Sequence, residues 1–192
     1  MYNICMKVII LHGTGNSSKG NWFPWLQKQL EAKGHKVWLP DLPSADQPDP
    51  NNYTPFILES CPFKLDSQTI IVGHSSGAVE ALYLIQQNSQ PIKGMVLVGA
   101  FDEDLGWPAL SKLFPEPFDY AKIKKNGGKI LLLHSDNDPH VPLETRGAKR
   151  IAAALDAPIT VLHDMGHFSL DGGERFRQLP EILPLINKAS IS

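Results

Sequence analysis

Between Ile70 and Leu82 the chain reads IIVGHSSGAVEAL, an apolar run that closes on Gly73-His74-Ser75-Ser76-Gly77 before a second apolar pattern opens. A serine with glycine two residues before and two after it, between a strand and a helix, is the frame of an activated nucleophile. The turn is so tight that Cβ atoms at the flanking positions would clash, and its strain pushes the central side chain into the open. Ser75 is central and is therefore the candidate nucleophile. Ser76 matters chiefly for its backbone N–H at the start of the helix, where negative charge is favoured. A small-residue connector that also caps the helix has the same composition. What separates the two readings is whether the rest of the chain supplies a base.

A serine hydroxyl is barely ionised at neutral pH and needs a neighbouring base. Of seven histidines, His167 in HDMGHF stands on a loop after the last apolar run, where a side chain can reach over one edge of a sheet. Gly166 lets the backbone bend before it and Phe168 can wedge the loop after it. The base needs an acceptor to orient its ring. HSDNDPHVP (134–142) offers Asp136 and Asp138; Asp138, fixed by Pro139, is the preferred partner, and Asp136 is assigned to the turn. An oxyanion site should follow the first apolar run, in LHGTGNSSKGNW (11–22). One donor is the Ser76 N–H; the other is expected from Thr14, or failing that Gly13. The same loop is a poor phosphate cradle, because a third glycine is missing at 18 and Asn21 stands where a P-loop has lysine. His163-Asp164-Met165-Gly166-His167 has the spacing of a zinc motif, but a strand runs into His163 and Gly166 opposes a helix, so no metal is expected. Trp22, Trp25, Phe101, Trp107 and Phe168 are candidates for an acyl pocket, with Phe101, Phe168 and Trp22 foremost.

These residues need a frame that brings them to one edge. KVIILHG (7–13), TIIVGHS (69–75), GMVLVGA (94–100), KILLLHS (129–135) and ITVLHD (159–164) are continuous apolar runs, the pattern of strands covered on both faces of a parallel sheet. HKVWLPDLP (35–43) is a sixth, weaker run. Helical spacing appears over 21–33, 76–87 and 143–155, and over 174–188, where Pro180 and Pro184 predict two short pieces. Alternating strands and helices predict a three-layer α/β/α sandwich in a single domain spanning 1–192, with about six parallel strands. Five prolines make 40–55 read as a surface loop. The segment 101–120 reads as a small lid or an irregular insertion.

The totals agree with an ordinary globular enzyme. The chain has 192 residues, 42% hydrophobic and 20% charged, with a formal net charge of -2. No basic block points to nucleic acid, and no apolar run approaches the roughly 18 residues of a membrane span. Cys5 and Cys61 make no disulfide framework, which fits a cytoplasmic protein.

With these residues in place, the chain resembles the α/β-hydrolase superfamily, and within it the small serine-hydrolase family that includes retinoblastoma-binding protein nine and its bacterial relatives. The resemblance rests on GHSSGA (73–78), NWFPWL (21–26), SDNDPHVP (135–142) and GHF (166–168) and covers nearly the whole chain. It implies a trimmed α/β-hydrolase fold with little or no lid, no cofactor, and a Ser-Asp-His triad on Ser75, Asp138 and His167 in that chain order. Ester cleavage and amide or peptide cleavage are both attributed to the family. A small-molecule acyl substrate, a carboxylic ester before an amide, is expected here because no extended groove is legible. An aminopeptidase would need carboxylates for an amine, for which Asp102, Glu103 and Asp104 are the candidates. A protein-binding module with an idle triad is the reading from another class. The family name implies a retinoblastoma-type partner, a contact made through Leu-x-Cys-x-Glu; here the segment around Cys61 is LESCPF, so that partner is not expected.

Overall fold

The structure, a computed structural model, describes residues 5–145 and 147–191. Six strands, β1 (Lys7–Leu11), β2 (Lys36–Trp38), β3 (Thr69–His74), β4 (Gly94–Val98), β5 (Lys129–Ser135) and β6 (Ile159–Leu162), form one sheet in the order β2-β1-β3-β4-β5-β6. Every pairing is parallel. Parallel neighbours need crossovers, and the chain supplies helices α1 (Phe23–Glu31), α2 (Pro50–Ser60), α3 (Ser76–Gln87), α4 (Tyr120–Asn126), α5 (Ala148–Leu155) and α6 (Ile182–Ser190).

Side chains alternate across the strands and divide the core in two. Val8, Ile10, Ile70, Val72, Val96 and Val98 pack with Phe23, Leu26 and Leu30 of α1 and Ile182 and Ile186 of α6. Ile9, Leu11, Ile71, Met95, Leu97 and Leu132 pack on the other side with α2, α3, α4 and α5. Both sets are fully or almost fully buried, which is why the runs read as continuous rather than alternating. The outer strands are less covered: β2 keeps only three residues of the expected 35–43 run, and Val161 of β6 is 46% exposed.

Three segments correct or sharpen the sequence reading. The proline-rich stretch 40–55 runs into a helix at Pro50. Asp49 caps that helix by accepting a hydrogen bond from the Asn51 N–H (2.9 Å), and Pro50 sits in the first turn, where its missing N–H costs nothing. Pro55 lies inside it, held there by the burial of Tyr53, Thr54 and Ile57 against the sheet layer. The segment 101–120 is a short apolar cap. Phe101, Leu105, Leu110 and Leu113 are buried with Val79 and Tyr83 of α3 and with Val141, and one 3-10 turn spans Pro108–Leu110. The C-terminal stretch divides as expected into a 3-10 turn, Glu174–Arg177, and α6, but Pro184 does not break α6, because it falls in the first turn. Among the described residues no helix is long and apolar enough to cross a membrane.

Candidate active site

β3 ends at His74 and α3 begins at Ser76, which leaves one residue to turn the chain. Ser75 does so at φ 55°, ψ -125°, a left-handed conformation unusual for a residue with a side chain. Its N–H donates to the Val98 carbonyl (2.8 Å), so the turn is anchored to the end of β4. The flanking glycines are demanded by packing. A Cβ on Gly73 would lie 2.5 Å from the Gly77 carbonyl oxygen, and one on Gly77 would lie 2.4 Å from that of Leu11. The elbow is thereby pressed against the end of β1.

His167 follows β6 on a loop with three non-consecutive left-handed residues, Asp164, Gly166 and Phe168. Its Nδ1 lies 2.7 Å from Asp138 Oδ2. A ring nitrogen facing a carboxylate carries the proton, which leaves Nε2 as the basic nitrogen. The Asp138 side chain is fully buried, and its other oxygen accepts the His140 and Val141 N–H groups at 2.9 Å each. Burial alone would raise the Asp138 carboxyl; the hydrogen bond and charge of His167 and the two N–H groups outweigh it and hold it below the usual carboxylate range. His74 supports the loop from below, with Nε2 2.8 Å from the His167 carbonyl oxygen. That contact requires Nε2 to donate. Burial, reinforced by the nearby His167, pushes the His74 imidazole down to about 3, so it stays neutral.

The loop after β1 is held in a similar way. His12 Nε2 accepts the Leu42 N–H (2.9 Å), so its Nδ1 carries the proton and donates to the Gly13 carbonyl (3.0 Å). That carbonyl also accepts the Asn16 N–H. Across a trans peptide the Thr14 N–H points the opposite way. Thr14 Oγ1 donates to Ser76 Oγ (3.0 Å), linking this loop to the first turn of α3. The Ser76 N–H, at the start of its helix, has no intrahelical acceptor. Ser75, Gly13, Thr14, His74 and His167 all line one cavity of about 270 Å³.

A family model described as serine hydrolase matches residues 8–188. The chain belongs to the serine hydrolase family. It is 30% identical to the serine hydrolase RBBP9 of Rattus norvegicus over 167 residues, 84% of this chain and 87% of that protein. It is also 30% identical to YdeN of Bacillus subtilis over 185 residues, 94% of each. The crystal structure of the B. subtilis ydeN product superimposes with a TM-score of 0.85 at 27% identity, covering 96% of this chain and 98% of that one. A meta-cleavage product hydrolase of Pseudomonas fluorescens shares the fold, with a TM-score of 0.67 at 19% identity over 96% of this chain and 91% of its own. The six-stranded sheet is thus a trimmed α/β-hydrolase fold.

Ser75 and His167 line the same cavity as Gly13 and Thr14, His167 meets Asp138 behind it, and Ser76 follows Ser75 at the start of α3. Asp136 turns elsewhere: it accepts from His163 (2.5 Å) and from the Asp164 N–H at the surface. The two histidines of HDMGH therefore face different aspartates. Of the pocket aromatics, Phe101 and Trp107 line the cavity. Trp22 and Phe168 do not. Both are fully buried in the core beside α1, where Trp22 Nε1 donates to the Phe168 carbonyl (3.1 Å). Their place is under the His167 loop, and the helical spacing of Trp22 and Trp25 reflects core packing. Asp102 and Glu103 pair with Arg150, and Asp104 accepts the Gly106 N–H in its own turn; none of the three lines the cavity. Sequence reasoning passed over Asn21, His140, Ser169 and Asp171, which do line it. His140 and Ser169 stand two residues after Asp138 and His167, a proximity that could have singled them out.

Proposed function

We propose that this hydrolase cleaves carboxylic esters through an acyl-enzyme on Ser75. The observation that carries the reading is the doubly anchored Asp138–His167 pair on the cavity that exposes the strained Ser75. His167 Nε2 takes the Ser75 proton as Oγ attacks the ester carbonyl carbon. The resulting oxyanion is held by the N–H groups of Ser76 and Thr14. When the C–O bond to the alcohol breaks, His167 gives the proton to the departing oxygen. Water then repeats the sequence: His167 removes a proton from it, the hydroxyl attacks the acyl carbon, and Ser75 leaves with the proton while the acid is released. Asp138 keeps the ring in the tautomer with Nε2 free and stabilises its charged form.

An ester is favoured over a peptide because the cavity is small and capped by residues 101–113, whereas an extended peptide needs a groove across the site. The carboxylates weighed for an amine pocket, Asp102, Glu103 and Asp104, lie off the cavity. A fluorophosphonate probe tests the reading directly. Wild-type protein should be labelled and Ser75→Ala should not; an unlabelled wild type, or equal labelling of both, removes the enzyme reading and leaves a binding module.

A further inference from the structure

The cavity has two unlike walls. Phe101, Leu105, Leu110 and Val141 make one of them apolar. Asn21, Ser169 and Asp171 are polar, and they stand on or against the loop that carries His167. Asn21 is 5% exposed, and its Oδ1 accepts the Leu170 N–H (3.1 Å). That bond fixes the amide's orientation and leaves Nδ2, a buried donor, without a protein partner. Leu170 lies between Ser169 and Asp171, which line the same cavity as Asn21. Ser169 Oγ donates to Asp171 Oδ2 (3.3 Å).

The group that meets this wall is constrained by chemistry. An apolar group would leave the buried Asn21 donor unpaired. An anion would face the Asp171 carboxylate, and no lysine or arginine among the described residues lines the cavity. A cation would suit Asp171 but has nothing to accept the Asn21 N–H. A neutral group with several hydroxyls both donates and accepts. Half-exposed Trp107, also on the cavity, adds an aromatic face of the kind that packs on the C–H surface of such a group.

Resting on the ester-hydrolase reading above, we propose that the alcohol released is a neutral polyol, a glycerol or sugar hydroxyl carrying a short acyl chain. The polyol lies against Asn21, Ser169 and Asp171, and the acyl chain lies under Phe101 and Leu110. The direction follows from the chemistry. His167 must reach the departing oxygen to protonate it, so the alcohol lies beside the residues that follow His167.

Three acetates of similar size test this: propyl acetate, 2,3-dihydroxypropyl acetate and acetylcholine. Wild-type kcat/KM should favour the dihydroxypropyl ester over the propyl ester by about tenfold, the factor given by ~1.4 kcal/mol of hydrogen bonding, chiefly through KM. Asn21→Asp keeps the acceptor for Leu170 but removes the donor; Asp171→Ala changes an exposed residue. Each should bring the ratio to within about twofold of one. A purely structural role would slow all three esters alike and leave the ratio intact. A wild type labelled by the fluorophosphonate probe yet showing no dihydroxypropyl preference overturns the polyol proposal alone. So does a preference for acetylcholine, or a ratio unchanged in both variants. A wild type that is not labelled removes the ester reading and this proposal with it.

Discussion

At the scale of single residues, two aspartates two positions apart have opposite environments. Asp138 is buried and has three donors on its two oxygens, whereas Asp136 is at the surface with His163 and the Asp164 N–H. Replacing Asp138 with Asn offers the His167 ring an amide that can donate to Nδ1 and so favours the wrong tautomer. Asp138→Asn should therefore lower kcat on an aryl acetate by about 10⁴-fold, with Asp136→Asn within about twofold of wild type. The reverse ranking would hand the orienting role to Asp136. Residue-level reading located this pair because Asp, Pro and His at the ends of apolar runs have few other reasons to stand there. It misplaced Trp22 and Phe168, because an aromatic next to a functional residue is equally well used as a wedge beneath it, and hydropathy is the same in both places.

At the scale of elements, the elbow works because α3 starts hard against the end of β1. The Gly77 position meets the Leu11 and His12 carbonyl oxygens, which are backbone and have no rotamer with which to withdraw. Gly77→Ala should lower stability by about 1–3 kcal/mol or more and shift the 13–15 loop. A urea midpoint within error of wild type would show that β1 and α3 can separate without cost. The same contact explains why the strand-turn-helix was legible in sequence: only glycine fits, so the spacing is forced. The α2 helix was not legible, since prolines are read as breakers unless their position in the turn is known. Asp49 followed by Pro50 is the cap-plus-first-turn signal that marks it. Segment 101–118 had no period to read, because its apolar residues pack as a cap on α3 rather than as a regular face.

At the scale of the whole molecule, the sheet buries imidazoles as well as aliphatic side chains. Burial lowers His74, His12 and His134, and in the folded protein His74 titrates only at about 3. Unfolded, each takes up a proton near 6.5. Between that value and the folded one the unfolded chain binds more protons, so stability rises with pH and is lost as pH falls. His74 alone should cost about 2 kcal/mol between pH 7.5 and pH 5, with His12 and His134 adding in the same direction. The Asp138 contribution is lost only at more acid pH, through its depressed titration. Urea unfolding at the two pH values checks this, and His74→Gln should flatten the slope; a stability independent of pH in this window would mean that the buried rings find a proton-accepting partner. By itself the sequence determined the parallel sheet and the elbow on Ser75, because both rest on local periodicity or on spacing that backbone sterics impose; it offered Asp138 as the preferred partner of His167 from its place beside Pro139, and the family as a resemblance of motifs. Tertiary structure alone decided which side chains face the cavity. Asn21, Trp107, Ser169 and Asp171 meet there from segments far apart in the chain, and the direction in which a loop side chain points is set by what packs beneath it.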